Sequence, residues 1–180
     1  MNKQRHIWKD EHGSIALEAA LLFPIVLLLM VMAADMMSYF NAIRKLSASA
    51  ATAADLLATT SGTVTGSELT GIANLAAPSG VTVAMPDGVG ITFQVYQVIS
   101  GRAVARWEFS SGSGLYCGSP KMDLGSLMSD DSDVLVVGAC GEWDAHTKKA
   151  MFGMDGPLNI VQFSIVRPRR SLHTLCTDCS

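Results

Sequence analysis

The sequence predicts an α+β protein with a long N-terminal helix followed by a small domain that contains a short helix and an antiparallel β-sheet. Three observations predict this class. An apolar run near the N-terminus has no polar face, and the residues after it keep a helical period. From about residue 81 onward, β-branched and aromatic runs alternate with turn residues. The chain of 180 residues is long enough for one domain plus an appendage.

The apolar run predicts a helix that spans a membrane. Between residues 14 and 34 the only ionisable residue is Glu18. A helix of this length is about 30 Å long, which matches the thickness of the hydrocarbon core of a bilayer. A core helix of a soluble domain would carry a polar face, and this one has none.

Basic residues set the expected orientation of this helix. Lys3, Arg5 and Lys9 precede the run and favour a cytoplasmic N-terminus, although Arg44 and Lys45 follow it and weaken the bias. A cleavable secretory signal also has a basic region followed by an apolar region. The run is too long for an ordinary signal, however, and no small-x-small cleavage site follows it.

The helical pattern continues beyond the apolar run. Apolar or small residues recur at spacings of three and four, and glycine and proline are absent until Gly62. These residues are Met36, Phe40, Ile43, Leu46, Ala50, Ala54 and Leu57. We therefore predict one helix over residues 14–58, whose Ala- and Ser-rich second half packs either on its own domain or on other subunits.

Residues 59–180 are expected to form the α+β domain. A turn-rich joint, TTSGTVTGS, leads to a short helix over residues 68–77 that Ser67 is expected to cap. Strands are predicted at 81–85, 90–100, 103–109, 133–143 and 158–168, in an antiparallel sheet with one face covered by the long helix. Residues 122–128 are expected to hold a short helix or an ordered loop.

Four cysteines, all after the apolar run, suit an oxidising compartment such as a periplasm. They are Cys117, Cys140, Cys176 and Cys179. The CTDC spacing at 176–179 can indicate thiol redox chemistry or half a zinc site, but a redox motif should open a helix, and no spacing supplies two more zinc ligands. Structural disulfides are favoured, either within the C-terminal pair or as Cys117–Cys140 plus a tail pair; the tail could instead bond to a partner.

The remaining features argue against an enzyme. A net charge of −3 disfavours nucleic-acid binding, and no hydrolase, metalloprotease, P-loop or dinucleotide motif occurs in a suitable context. The acidic run at 129–133 lacks EF-hand spacing and reads as a solvated turn, and the basic RPRR at 167–170 reads as a solvated strand end. We expect no cofactor, no metal and no small-molecule substrate.

The N-terminal block HGSIALEAALLFP resembles a known pattern. Gly13 followed by Glu18 resembles the processing site of type IV-like prepilins, and the apolar extension with Pro24 and Asp35 resembles the TadE/TadG-like family of the Tad (Flp) pilus machinery. The segments VTGSELTGIANLAAPSG, DVLVVGACGEW and SIVRPRR and the strand containing Trp107 also look like this family. The resemblance implies that residues 1–13 are a basic leader, which a prepilin peptidase could remove between Gly13 and Ser14.

This resemblance gives Glu18 and Pro24 expected roles. Cleavage would leave an α-amine on Ser14, and the resemblance implies that Glu18 pairs with such an amine, in an assembled pilus that of a neighbouring subunit. A membrane-depth carboxylate is costly unless it is paired; alternatively, Glu18 only extends to the lipid headgroups. Pro24 removes a backbone hydrogen bond to Ala20, which predicts a tolerated kink in the membrane helix.

The expected function is that of a minor pseudopilin-like structural component in Tad pilus or related secretion assembly. Its expected partners are inner-membrane lipid, other pilins and pseudopilins, the Tad machinery and a prepilin peptidase. The expected topology is a single pass through the bacterial inner membrane, with a periplasmic C-terminal domain. The alternative is an unprocessed, membrane-anchored periplasmic scaffold or binding protein, and a less favoured one is an envelope redox enzyme that uses Cys176 and Cys179.

Overall fold

A 49-residue helix at the N-terminus dominates the computed structural model. The structure describes residues 11–60, 63–77, 85, 88–112, 115–121, 133–144, 155–168 and 176–179. Within these ranges the elements, in chain order, are α1 (Glu11–Thr59), β1 (Val64–Thr65), α2 (Gly66–Ala76), β2 (Val89–Ile99), β3 (Arg102–Gly112), β4 (Asp133–Trp143), β5 (Leu158–Val166) and β6 (Cys176–Thr177). The predicted α+β class is confirmed.

Helix α1 is about 73 Å long at about 1.5 Å per residue and has two different halves. We call residues 17–40 the outer half and residues 42–59 the packed half. The packed half buries one face on the sheet and on α2, through Ala42, Leu46, Ser49, Ala50, Ala53, Ala54, Leu57 and Ala58. Its opposite face carries exposed Arg44, Lys45 and Asp55. Of the two alternatives for the Ala- and Ser-rich segment, its apolar face packs on its own domain.

Helix α2 begins earlier than predicted. Thr65, not Ser67, is the N-cap: its hydroxyl accepts a hydrogen bond from the Glu68 amide at 3.3 Å, and the Glu68 carboxylate accepts one from the Thr65 amide at 2.9 Å. This reciprocal capping box satisfies two amides at the helix start. Ser67 could not form one, because no Glu or Gln lies three residues after it. The helix buries Leu69, Ala73 and Ala76.

The main sheet has four antiparallel strands in the order β3-β2-β4-β5. Strands β2 and β3 form a hairpin whose turn, Ser100–Gly101, has positive φ at both residues, as a two-residue turn of this kind requires. The inner face of the sheet packs against the packed half of α1 and against α2, and Phe93, Val95, Leu135 and Val137 lie in that core. The predicted cover of the sheet by the long helix is therefore observed.

The second face of the sheet is also covered along its central strands β2 and β4, contrary to the expectation of one covered face. Val134 and Val136 are fully buried on it, together with Val98. Residues 115–121 lie across this face, where the Cys117 amide donates to Thr92 Oγ1 at 3.3 Å. The Gln94 side chain donates to Ser119 Oγ at 3.1 Å on the same segment. Thr92 and Gln94 are buried polar residues of β2 that this segment supplies with hydrogen-bond partners, whereas the buried Gln97 accepts a hydrogen bond from Arg106 of β3.

Two further differences concern the shorter elements. Strands β1 and β6 form a parallel pair, Val64 opposite Cys176 and Thr65 opposite Thr177, which was not predicted and which ties the C-terminal residues to the joint between the helices. Most of the strand predicted at 81–85 lies outside the described residues, apart from Met85, which is buried. The segment 122–128 also lies outside them.

Candidate membrane and assembly helix

The outer half of α1 exposes apolar side chains on every side. All residues from 17 to 31 are exposed, and their large side chains keep between 45 % (Leu27) and 65 % (Leu21, Met30) of their surface accessible. Each such side chain is worth about 1.5–3 kcal/mol when it is removed from water. Within the described residues, this helix is long and apolar enough to cross a membrane. The outer half therefore requires an apolar medium that the domain does not supply.

Two carboxylates flank the uncharged part of the outer half. Residues 19–34 carry no charge, and they span about 24 Å, whereas the hydrocarbon core is about 30 Å thick. A bilayer around this helix therefore covers at least one of Glu18 and Asp35, or becomes thinner. Glu18 is exposed, and no hydrogen bond or ion pair of its carboxylate is found within the described part of the chain, whereas Asp35 is half-buried and has a partner.

The predicted processing site lies at the start of the helix. Gly13 and Ser14 follow Glu11, where α1 begins, and Glu18 follows Ser14 by about one helical turn, or about 6 Å along the axis. Pro24 lies within α1, which continues through it. The structure thus places Glu18 close to the position that a new α-amine would occupy, in the same helix.

The outer half joins the domain at an aromatic cluster that the sequence did not predict. The Trp143 indole donates a hydrogen bond to Ser38 Oγ at 3.3 Å. The rings of Tyr39 and Trp143 meet edge to face, with centroids 5.2 Å apart. Phe40 lies next to Tyr39, with ring centroids 6.0 Å apart. We call Tyr39, Phe40 and Trp143 the junction cluster.

The four cysteines form two disulfides of different reach. Cys117 is bonded to Cys140, across 23 residues, and this bond holds the 115–121 segment on the sheet. Cys176 is bonded to Cys179, and both pack against the core near Leu57. The Cys176–Cys179 pair begins in β6 rather than at a helix start, unlike a thiol redox motif. Among the described residues, no group of three or more metal-ligating side chains comes together.

One polar group near the Cys117–Cys140 bond has a shifted pKa. A hydrogen bond to the Glu108 side chain raises the pKa of Tyr116, because the neutral phenol donates to the carboxylate. One oxygen of Glu108 is buried and has no hydrogen-bond partner. The pair lies on the outer face of the sheet, away from α1, because Glu108 is opposite Gln94 in the hairpin.

Comparison with known families places the N-terminal helix in a known class. Residues 13–55 match the family model described as TadE-like protein. The resemblance predicted from the sequence is confirmed over this segment, which we call the TadE-like segment. Searches of curated proteins and of solved structures found no match.

The TadE-like segment begins at Gly13 and includes the outer half of α1 and most of the packed half. Such a segment suggests a component associated with the Tad pilus. The segment is about a quarter of the chain, and the β-sheet domain follows it. The functional assignment therefore depends on the helix.

Proposed function

We propose that this protein is a minor pseudopilin-like component of a Tad pilus or a related secretion apparatus. It is inserted in the inner membrane through the outer half of α1 and presents its α+β domain to the periplasm. In assembly, the outer half packs laterally against the helices of other pilins. The observation that carries this proposal is the fully exposed apolar helix from residue 17 to residue 31 within a TadE-like segment.

Glu18 supplies the chemistry of assembly. Its carboxylate is exposed at the end of an apolar helix, where an unpaired charge in the membrane costs a few kcal/mol. Cleavage between Gly13 and Ser14 creates a cation about one turn away, either in the same chain or in a neighbour. Pairing with that amine would offset the unfavourable energy of both charges, so that processing and assembly depend on each other.

The first test is the mass of the mature chain. The protein is purified from membranes of cells with and without an active prepilin peptidase, and its intact mass is measured. We expect the loss of residues 1–13 only when the peptidase is active, and a full-length chain for Gly13→Ala. Gly71→Ala is the matched control, because a Cβ at this exposed helical glycine meets nothing within 4 Å. A full-length wild-type chain beside active peptidase contradicts the proposal.

The second test separates membrane insertion from assembly. Glu18→Gln removes the charge and keeps the shape of the side chain. We expect this variant to be inserted and processed as the wild type is, but to be depleted from sheared pili relative to the membrane fraction. Normal recovery of Glu18→Gln with the pilus fraction would contradict the role of the carboxylate.

One observation favours the alternative, an unprocessed membrane-anchored scaffold. Helix α1 begins at Glu11, so that Gly13 and Ser14 lie inside the helix and not ahead of it. A peptidase needs an extended backbone at the bond it cuts, and would have to unwind this turn. The same mass measurement decides, because the scaffold keeps its leader when the peptidase is active.

A further inference from the structure

We infer that the junction cluster sits in the lipid headgroup layer on the periplasmic side, so that the domain stands directly on the bilayer with its strands roughly along the membrane normal. The interaction surface is the junction cluster, and its partner is the phospholipid headgroup layer. This inference rests on the membrane anchoring in the proposed function and applies to the membrane-resident protein.

The surface of α1 changes character at the junction cluster. Phe40, half of whose surface is accessible, is the last exposed large apolar side chain of the helix among the described residues. The next exposed side chains are Asn41, Arg44 and Lys45. Because a charged side chain inside the bilayer costs about 2.5–3.5 kcal/mol, the hydrocarbon must end near Phe40.

The composition of the cluster suits that position. Tyrosine and tryptophan are enriched where hydrocarbon meets the headgroups. Tyr39 and Trp143 meet at this level, and Met36 and Met37, one turn below, expose 59 % and 64 % of their surface. Counting about 20 residues back from a boundary between Asp35 and Phe40 brings the inner boundary to about residues 15–20. That range contains Glu18, which agrees with the exposed carboxylate at the inner end of the span.

The domain has no linker that could hold it away from the membrane. Helix α1 is continuous from the outer half into the packed half, and Trp143 of β4 bonds to Ser38 of the helix at the boundary itself. Ala42, two residues after Phe40, is already buried in the domain. The end of β4 therefore lies at the height of the membrane surface.

The packing also shows which end of the domain lies farther from the outer half of α1. Along β4, Ala139 and Trp143 pack with Ala42 and Leu46, near the membrane. Leu135, eight positions earlier in the strand, packs with Leu57 instead, so that β4 runs back along α1. At about 3.3 Å per residue, Leu135 lies about 26 Å from Trp143 along the strand, on the side away from the outer half. Trp107 is level with Leu135, because both are opposite Val95.

The test uses these two tryptophans as a matched pair. The chain has three tryptophans, and Trp8 is removed as Trp8→Phe in every sample. The double variant Trp8→Phe, Trp107→Phe keeps Trp143 as its fluorophore. The single variant Trp8→Phe keeps both Trp107 and Trp143. The difference between their emissions therefore reports Trp107, with the junction cluster intact in both proteins. Each protein is reconstituted in phosphatidylcholine vesicles with or without a nitroxide on the lipid headgroup, and the emission is compared.

We expect about twofold quenching of Trp143 and less than about 1.2-fold quenching of Trp107, because nitroxides quench only at short range and the two residues lie about 26 Å apart along the strand direction. Near-UV circular dichroism and non-reducing mass spectrometry check the fold and the disulfides. Equal quenching of both tryptophans means that the domain lies flat, and quenching of neither means that it stands off; either result overturns the inference. Flotation with the vesicles after an alkaline wash tests the anchoring: protein that does not float overturns the anchoring, whereas protein that floats without selective quenching overturns only this inference.

Discussion

The two halves of α1 form one continuous helix but are stabilised by different surroundings. The packed half buries small and apolar residues at a spacing of three and four on its own sheet and shows a charged opposite face. The outer half is apolar on every side, and from residue 17 to residue 31 the domain covers none of it. The packed half folds with its own domain, and the outer half requires lipid or other helices. The surroundings of α1 therefore change at the junction cluster.

The largest expected difference concerns core truncation. Leu57 is fully buried in the packed half, whereas Leu28 is 56 % exposed in the outer half. We expect Leu57→Ala to lower the free energy of unfolding by about 2–5 kcal/mol, because it leaves a cavity in the core. Leu28→Ala should change it by less than about 0.5 kcal/mol. Denaturant unfolding in detergent, followed by tryptophan fluorescence, measures both. Similar losses in the two variants would show that the outer half belongs to the core.

The second prediction measures retention in the membrane instead of the stability of the domain. An arginine near the centre of a membrane helix costs about 2.5–3.5 kcal/mol, so we expect Leu28→Arg to lower the fraction that resists alkaline extraction from membranes. Ser47→Arg, on the exposed face of the packed half, is the matched control and should leave extraction unchanged. The unfolding of the domain should be unaffected in both. An extractable Ser47→Arg variant, or a resistant Leu28→Arg variant, would place the membrane span elsewhere.

The parts of the fold that could be predicted have strong periodic signals. The long helix follows from its spacing of three and four, and the strands β2, β4 and β5 from β-branched runs between turn residues. The exposed outer half and the position of Glu18 within it follow from the absence of any polar face. The apolar helix could therefore be predicted from its composition, whereas the roles of Gly13, Ser14 and Glu18 stay predictions.

The parts that could not be predicted depend on contacts distant in the sequence. Trp143 donates a hydrogen bond to Ser38, 105 residues away in the sequence, and no local pattern in either segment predicts that bond. The Cys117–Cys140 bond attaches the 115–121 segment to the second sheet face, and spacing alone left the pairing of the four cysteines open. The cap of α2 was misplaced for a local reason: Ser67 looked suitable, but only Thr65 has a glutamate three residues later.

The third prediction concerns the boundary between the two halves. Ser38→Ala leaves the buried Trp143 indole without its hydrogen-bond partner, which should lower the free energy of unfolding by about 0.5–1.5 kcal/mol. Ser47→Ala, at an exposed position of the same helix, is the control and should be nearly neutral. Denaturant unfolding of the two variants measures the difference. Equal stability of both would mean that the junction is held by the Tyr39–Trp143 ring contact alone.

The smallest expected effect tests the exposed face of the packed half. Ala51 points away from the domain, and Ala51→Gln should change the free energy of unfolding by less than about 0.5 kcal/mol, because glutamine is a good helix former and the site is open. Ala53 lies two residues later and is fully buried. Ala53→Gln should therefore lower the free energy of unfolding, because it forces a polar side chain into the core. If the packed half serves only its own domain, Ala51→Gln should also leave recovery with pili unchanged. A stable Ala51→Gln domain that is lost from pili would instead show that the packed half contacts its domain on one face and other subunits on the other, so that assembly contacts extend past the junction cluster into the packed half.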